Sequence, residues 1–159
     1  MAKSPDAAPA LDPAQQRLLA TLLDELLPAR PEVGLPGAGA LGLADAVAAA
    51  AAEKPELFSV LEDGLARLAT LAERHGAGSF VELAAATRRA ALDELGAQAP
   101  GCLPVLCVLT YSAYYRDLRV LEALGHPPRP PYPLGYEVPP SDFALLDAVR
   151  RRAPFYRTR

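Results

Sequence analysis

The chain of 159 residues has no tryptophan, no isoleucine, one methionine, two histidines and two cysteines. Nine valines and five threonines are its only β-branched residues. That is too few to favour sheet, whereas 32 alanines, with abundant leucine, glutamate and arginine, favour helix. Cys102 and Cys107 lie five residues apart, about 140° of helical rotation, so a bridge between them is not expected if the segment is helical. With no histidines beside them they cannot form a structural zinc site, and they read as small buried hydrophobes. The net charge of −3 lacks the imbalance that would draw the chain to nucleic acid or to a membrane surface. Long apolar runs are missing as well. The longest uncharged stretch, Leu95 to Tyr115, is broken by Gln98, Pro100 and Pro104, and its apolar part, Leu103 to Leu109, is too short to span a bilayer.

Catalytic patterns are equally scarce. There is no G-x-S-x-G elbow and no H-x-x-x-H or E-x-x-H pair. His75 sits where a helix ends, a position that suits a cation. Glu62, Asp63, Asp93 and Glu94 read as a solvated helix face with arginines nearby. No catalytic, cofactor-binding or metal-binding residue is assigned. The opening "MAKSPDAAPALDPAQQ" has neither a twin arginine nor an apolar stretch, so no signal peptide is expected. A cytoplasmic location is expected, a periplasmic one only if a signal was removed or a partner carries it.

What is present is a series of helix signals. Asp12, Pro13 and Gln15 form an N-cap, an N1 proline and a capping-box residue. Leu18, Leu19, Leu22, Leu23, Leu26 and Leu27 then make one apolar face that Pro28 stops. An alanine-rich helix is predicted over about Leu43 to Ala52. Phe58, Leu61, Leu65, Leu68 and Ala72 keep helical spacing in the next, which Gly76 to Gly78 close. Ser79, three residues before Glu82, predicts a capped turn, and another helix follows over about Ala86 to Leu95. "CLPVLCVLTYSAYY" is apolar on nearly every side, the mark of a central, buried helix, with Pro104 in its first turn. Asp117 caps "LRVLEALG", and Gly125 ends it.

Residues 126–140 hold seven prolines and predict an extended arm, about 40 Å long at about 3.1 Å per residue. Ser141 is expected to cap a last helix, "DFALLDAVRRR". The expected architecture is all-α: a single small bundle of about five to seven helices with an extended Pro-rich C-terminal arm. Its parts are a flexible N-terminus (1–11), a helical domain (12–125) and the arm with its helix (126–159), belonging to the same domain.

Gly37, Gly39 and Gly42 spell G-x-G-x-x-G, the fingerprint of a dinucleotide-binding turn. That fingerprint requires a strand before it and a second strand ending in a carboxylate. "LLPARPEVGLP" is no strand, and Glu56, at the right distance, sits in helical sequence. The glycines are therefore assigned to a turn between two helices. The tyrosines are more telling, since all six lie between Tyr111 and Tyr156. Tyrosine suits surfaces that are apolar at one end and wet at the other. Tyr111, Tyr114, Tyr115, Tyr132, Tyr136, Phe155 and Tyr156, with the loop residue His126, are candidate partner-binding residues. They could equally tie the proline arm to the bundle.

From Thr110 to Arg157 the sequence resembles the gluconate 2-dehydrogenase subunit 3 family. Val120, Ala123, Leu124 and Gly125 match its helix-ending motif, with His126 where an aromatic is usual. "LLDELLP" (22–28), "PGA" (36–38), Gly42 and "SFVEL" (79–83) fall in the family's order, so the likeness spans about residues 11–157. The resemblance implies a small helical, non-catalytic subunit with no cofactor of its own. It helps a large FAD-dependent oxidoreductase of the glucose–methanol–choline type, which oxidises sugars or sugar acids, to mature and stay soluble. In many members a multihaem cytochrome c is a third subunit. Neither nucleic acid nor membrane insertion is implied. Two alternatives stay open: a stand-alone helical enzyme or small-ligand binder with His126, Tyr114 and Tyr115 lining a pocket, and a regulatory adaptor for a non-flavin partner.

Overall fold

Asp12 starts the first helix as its sequence predicts. In the computed structural model its carboxylate accepts from the Ala14 and Gln15 N–H groups at 2.7 and 2.8 Å, and the Gln15 side chain accepts from the Asp12 N–H at 2.9 Å. Residues 10–129, 132–135 and 138–153 are described, and they fall into two units, 1–128 and 129–159. The first unit carries helices α1 (Pro13–Leu26), α2 (Ala44–Ala52), α3 (Pro55–Arg74), α4 (Ala85–Gln98), α5 (Cys102–Tyr114) and α6 (Leu118–Ala123). The second carries a short 3-10 turn (Phe143–Leu146) running into α7 (Asp147–Arg150). No strand occurs among the described residues, and the all-α expectation holds.

The core of the first unit is built where the leucine spacing places it. Leu18, Leu19, Leu22 and Leu23 of α1 are buried in one cluster with Leu61, Leu65, Leu68 and Leu71 of α3 and Leu95 of α4. Each buried leucine contributes up to about 1.5–3 kcal/mol. α3 and α5 cross closely where Gly64 meets Cys102, and a Cβ at Gly64 would run into the Cys102 sulfur. Cys102 is buried, Cys107 is half-buried, and both are free thiols. Burial pushes the Cys102 thiol up.

Three local expectations change. Ser79 makes no capping bond; the Glu82 carboxylate instead accepts from the Gly78 N–H at 3.0 Å, one residue before the N-cap, so the predicted reciprocal pair does not form. The predicted last helix divides into the 3-10 turn and the four-residue α7; Asp142, in place of Ser141, caps the turn, its carboxylate accepting from the Ala144 N–H at 3.0 Å, and α7 has no side-chain cap. The proline-rich arm bends. Arg129 donates to the Gly135 carbonyl at 2.9 Å, and Gly135 takes φ +65°. Six residues of polyproline helix would separate these ends by about 19 Å, beyond an arginine's reach. Among the described residues no single helix is long and apolar enough to cross a membrane.

Candidate functional site

The glycine-rich loop after α1 is held by three helices. The Asp24 carboxylate of α1 accepts from the Gly39 N–H at 2.8 Å and from the Ala40 N–H at 3.2 Å. Gly37 and Gly39 allow the chain to lie against α1, because a Cβ at Gly39 would strike the Ala20 carbonyl oxygen and the Asp24 carboxylate. Gly42 turns the chain into α2 with φ +74°. From α5, the Tyr114 hydroxyl donates to the Pro36 carbonyl at 2.8 Å. From α6, the Arg119 guanidinium donates to the Leu41 carbonyl at 2.9 Å. The two N–H groups that a nucleotide phosphate would seek are thus given to the protein's own carboxylate. The fingerprint is a packing motif here, as its strandless setting predicts.

Arg119 is itself fixed by Asp117, the α6 N-cap, through contacts of 2.9 Å (Nε to Oδ1) and 2.7 Å (Nη2 to Oδ2). The Arg119 hydrogen bond holds the Asp117 carboxyl below the usual range. Burial raises the Tyr114 phenol, helped by the neighbouring Tyr115 and Asp117. At neutral pH Tyr114 is therefore a neutral donor and Asp117 an ionised acceptor. Together they fix the C-terminal end of α5 on the loop.

That anchoring sets the aromatic face of α5. Tyr114 itself is 3% exposed, and its hydroxyl is committed to Pro36, so it presents no surface to a partner. Tyr115 meets the Tyr114 ring edge-on at 5.2 Å between centroids, and Tyr111 lies 6.3 Å from Tyr115. Tyr111 and Tyr115 remain 45% and 50% exposed, and Val108, one turn earlier, is 65% exposed. Pro104 extends the same line at helical spacing and is exposed too. The helix apolar on every side is consequently not wholly buried. It packs inward on α1, α2, α3 and α4, and no other helix among the described residues of the first unit covers its other side. Val108 escaped notice in the sequence because it is not aromatic; its signal was its position three and seven residues before the two tyrosines.

The remaining candidates lie apart from this face in sequence. His126 is exposed, and its backbone N–H donates to the Leu121 carbonyl at 2.8 Å, closing the α6 terminus beyond Gly125 at φ +75°. Tyr132 is exposed in the second unit. Tyr136, Phe155 and Tyr156 lie outside the described residues. A cleft of about 560 Å³ opens between α1, α3 and the turn at Phe80, floored by Leu18, Leu65 and Phe80. Tyr114, Tyr115 and His126 do not line it. Among the described residues no group of three or more His, Cys, Asp or Glu side chains could hold a metal.

The model of the gluconate 2-dehydrogenase subunit 3 family matches residues 13–120, about two thirds of the chain, from the start of α1 to Val120 in α6. The chain belongs to the gluconate 2-dehydrogenase subunit 3 family. The match covers the helices that build the core, the clamped glycine loop and the whole of α5. It stops before Ala123, Leu124 and Gly125 and before the proline-rich arm. No curated protein and no solved structure matches the chain significantly. Membership identifies the chain as a subunit of a gluconate 2-dehydrogenase-type assembly.

Proposed function

We propose that this subunit is a non-catalytic partner of a large FAD-dependent oxidoreductase of the glucose–methanol–choline type. It docks through the uncovered face of α5 and supports the maturation and solubility of the larger chain. FAD belongs to that partner, and a cytochrome c serves as the third component of the assembly. On this reading the two chains meet in the cytoplasm.

The observation that carries the proposal is the uncovered side of α5. A helix that is apolar around its whole circumference gains nothing from water on its outer side, yet Val108, Tyr111 and Tyr115 stand there exposed. Such a surface is what an assembly covers. The clamp from Tyr114 and Arg119 to the glycine loop holds it in place before the partner arrives, which lowers the ordering cost of docking.

The test is co-purification of the tagged full chain with the flavoprotein, read by the flavin's visible absorbance in the eluate. Replacing Tyr111 and Tyr115 together by serine should abolish flavin recovery and leave the chain folded. Undiminished flavin in that double variant would defeat the docking assignment. Turnover of a substrate by the isolated chain would defeat the non-catalytic role.

A further inference from the structure

Beside the aromatic line on α5 runs a groove of about 330 Å³ between α2 and α5, lined by Ala46, Ala50, Leu109, Ser112, Ala113, Arg116 and Asp117. It adjoins the uncovered face directly. Ser112 stands four residues after Val108 and three before Tyr115, and Arg116 follows Ser112 by four, so the face continues round the helix into the groove. Apart from the Ser112 hydroxyl and the two charged residues, the groove offers methyl groups and one leucine, which form a slot because the α2 side chains are so short. Its polar end is different. Asp117 is fully engaged, with both oxygens on Arg119. The Arg116 guanidinium has no hydrogen-bond or ion-pair partner among the described residues; only its backbone N–H is engaged, with the Ala113 carbonyl at 3.3 Å. The groove therefore joins an apolar slot to one uncommitted positive charge.

The geometry points to a groove that receives a segment of the partner carrying a bulky apolar side chain next to a carboxylate, the apolar group on Ala46, Ala50 and Ala113 and the carboxylate on Arg116. This rests on the docking assignment for α5 and sharpens it by naming the partner's chemistry. A leucine- or phenylalanine-sized group supplies the volume that the alanines leave. An aspartate or glutamate supplies the charge that Asp117 cannot. A basic segment is disfavoured, because it would bring a like charge to Arg116. Arg116 is suited to this task, since a guanidinium binds a carboxylate through two parallel hydrogen bonds.

The experiment is a binding titration of the full chain against the purified flavoprotein subunit, at low and high salt. Ala46→Leu fills the slot from an exposed position, and Arg116→Glu reverses the charge; both should weaken binding about tenfold or more, whereas Arg116→Lys, which keeps the charge and loses the two-pronged hydrogen bond, should fall between Arg116→Glu and the wild type. Wild-type affinity should fall with added salt more steeply than that of Arg116→Glu. Thermal melts verify that each variant is folded. If Ala46→Leu and Arg116→Glu bind as the wild type while the Tyr111/Tyr115 double serine variant does not, the groove is empty in the complex and only the docking face survives. If all of them bind alike, or the wild type does not bind, both proposals fall.

Discussion

α3 and α5 pack against each other in one bundle, yet they treat solvent in opposite ways. α3 buries Phe58, Leu61, Leu65, Leu68, Leu71 and Ala72 on one side and turns Glu56, Glu62, Asp63, Arg67, Thr70 and Glu73 outward. It is an amphipathic helix whose two faces are both satisfied. α5 buries Cys102, Leu106, Leu109, Thr110 and Tyr114, but its outward side carries Pro104, Val108 and Tyr111, with Tyr115 just beyond its end. A polar outer face ends an element's obligations, and an apolar one extends them beyond the chain. The difference separates residues that the fold buries from residues that it leaves exposed.

The largest effect that tests this contrast lies on α3. Leu68→Ala should cost about 2–5 kcal/mol of stability by chemical denaturation, because Leu68 is fully buried and its cavity cannot close. Val108→Ser on α5 should change stability by less than about 0.5 kcal/mol. Equal losses for the two would mean that the outer side of α5 is packed within the fold, and the contrast would be lost. Next comes the loop beneath α5. Gly39→Ala should destabilise by about 1–3 kcal/mol, since the added methyl meets the backbone of α1 at Ala20. Unchanged melting would show that the loop does not press on α1. For association, Tyr115→Ala should weaken binding to the flavoprotein by about 1–3 kcal/mol with little change in melting temperature.

Much of the bundle was legible because local chemistry and long-range packing agree. The Asp12–Gln15 capping box, the leucine periods of α1 and α3 and the proline at the start of α5 each specify an element that tertiary packing then keeps. The strandless setting of the three glycines was enough to remove the nucleotide reading. What held them could not be read, because Asp24, Tyr114 and Arg119 reach the loop from 15, 78 and 78 residues away in sequence. The aromatic cluster was visible as composition, but its sorting was not. Tyr114 and Tyr115 are neighbours in sequence, and only the direction of each ring separates an internal strut from a surface group. α5 misled for a related reason: its composition reports how apolar its faces are, not how many of them its own chain covers. The bend in the proline arm needed Arg129 and the positive φ of Gly135, a pairing that no residue preference announces.

Tyr114 allows the strut to be tested separately from the surface. Tyr114→Phe keeps the ring against Tyr115 and removes only the hydroxyl, so it should cost about 1 kcal/mol, the usual net value of one hydrogen bond. If the double serine variant at Tyr111 and Tyr115 loses the partner while Tyr114→Phe keeps it, the division between strut and surface holds.

The smallest expected effect is a pH dependence at the other end of the clamp. Arg119 holds the Asp117 carboxyl below its ordinary value of 3.8, so near that value the unfolded chain binds more protons than the folded one. Stability from this pair is therefore fully present above the ordinary carboxyl range. It is lost as the pH falls through the lowered folded value. Arg119 is 59% exposed, so solvent screens the pair and its contribution to stability is small. Melting temperatures followed down into the acid range should fall less steeply for Asp117→Asn than for the wild type, while the two curves run parallel at neutral pH. Identical acid slopes would mean that Asp117 is not held by Arg119, and that the loop end of α5 is fixed by Tyr114 and Asp24 without help from α6.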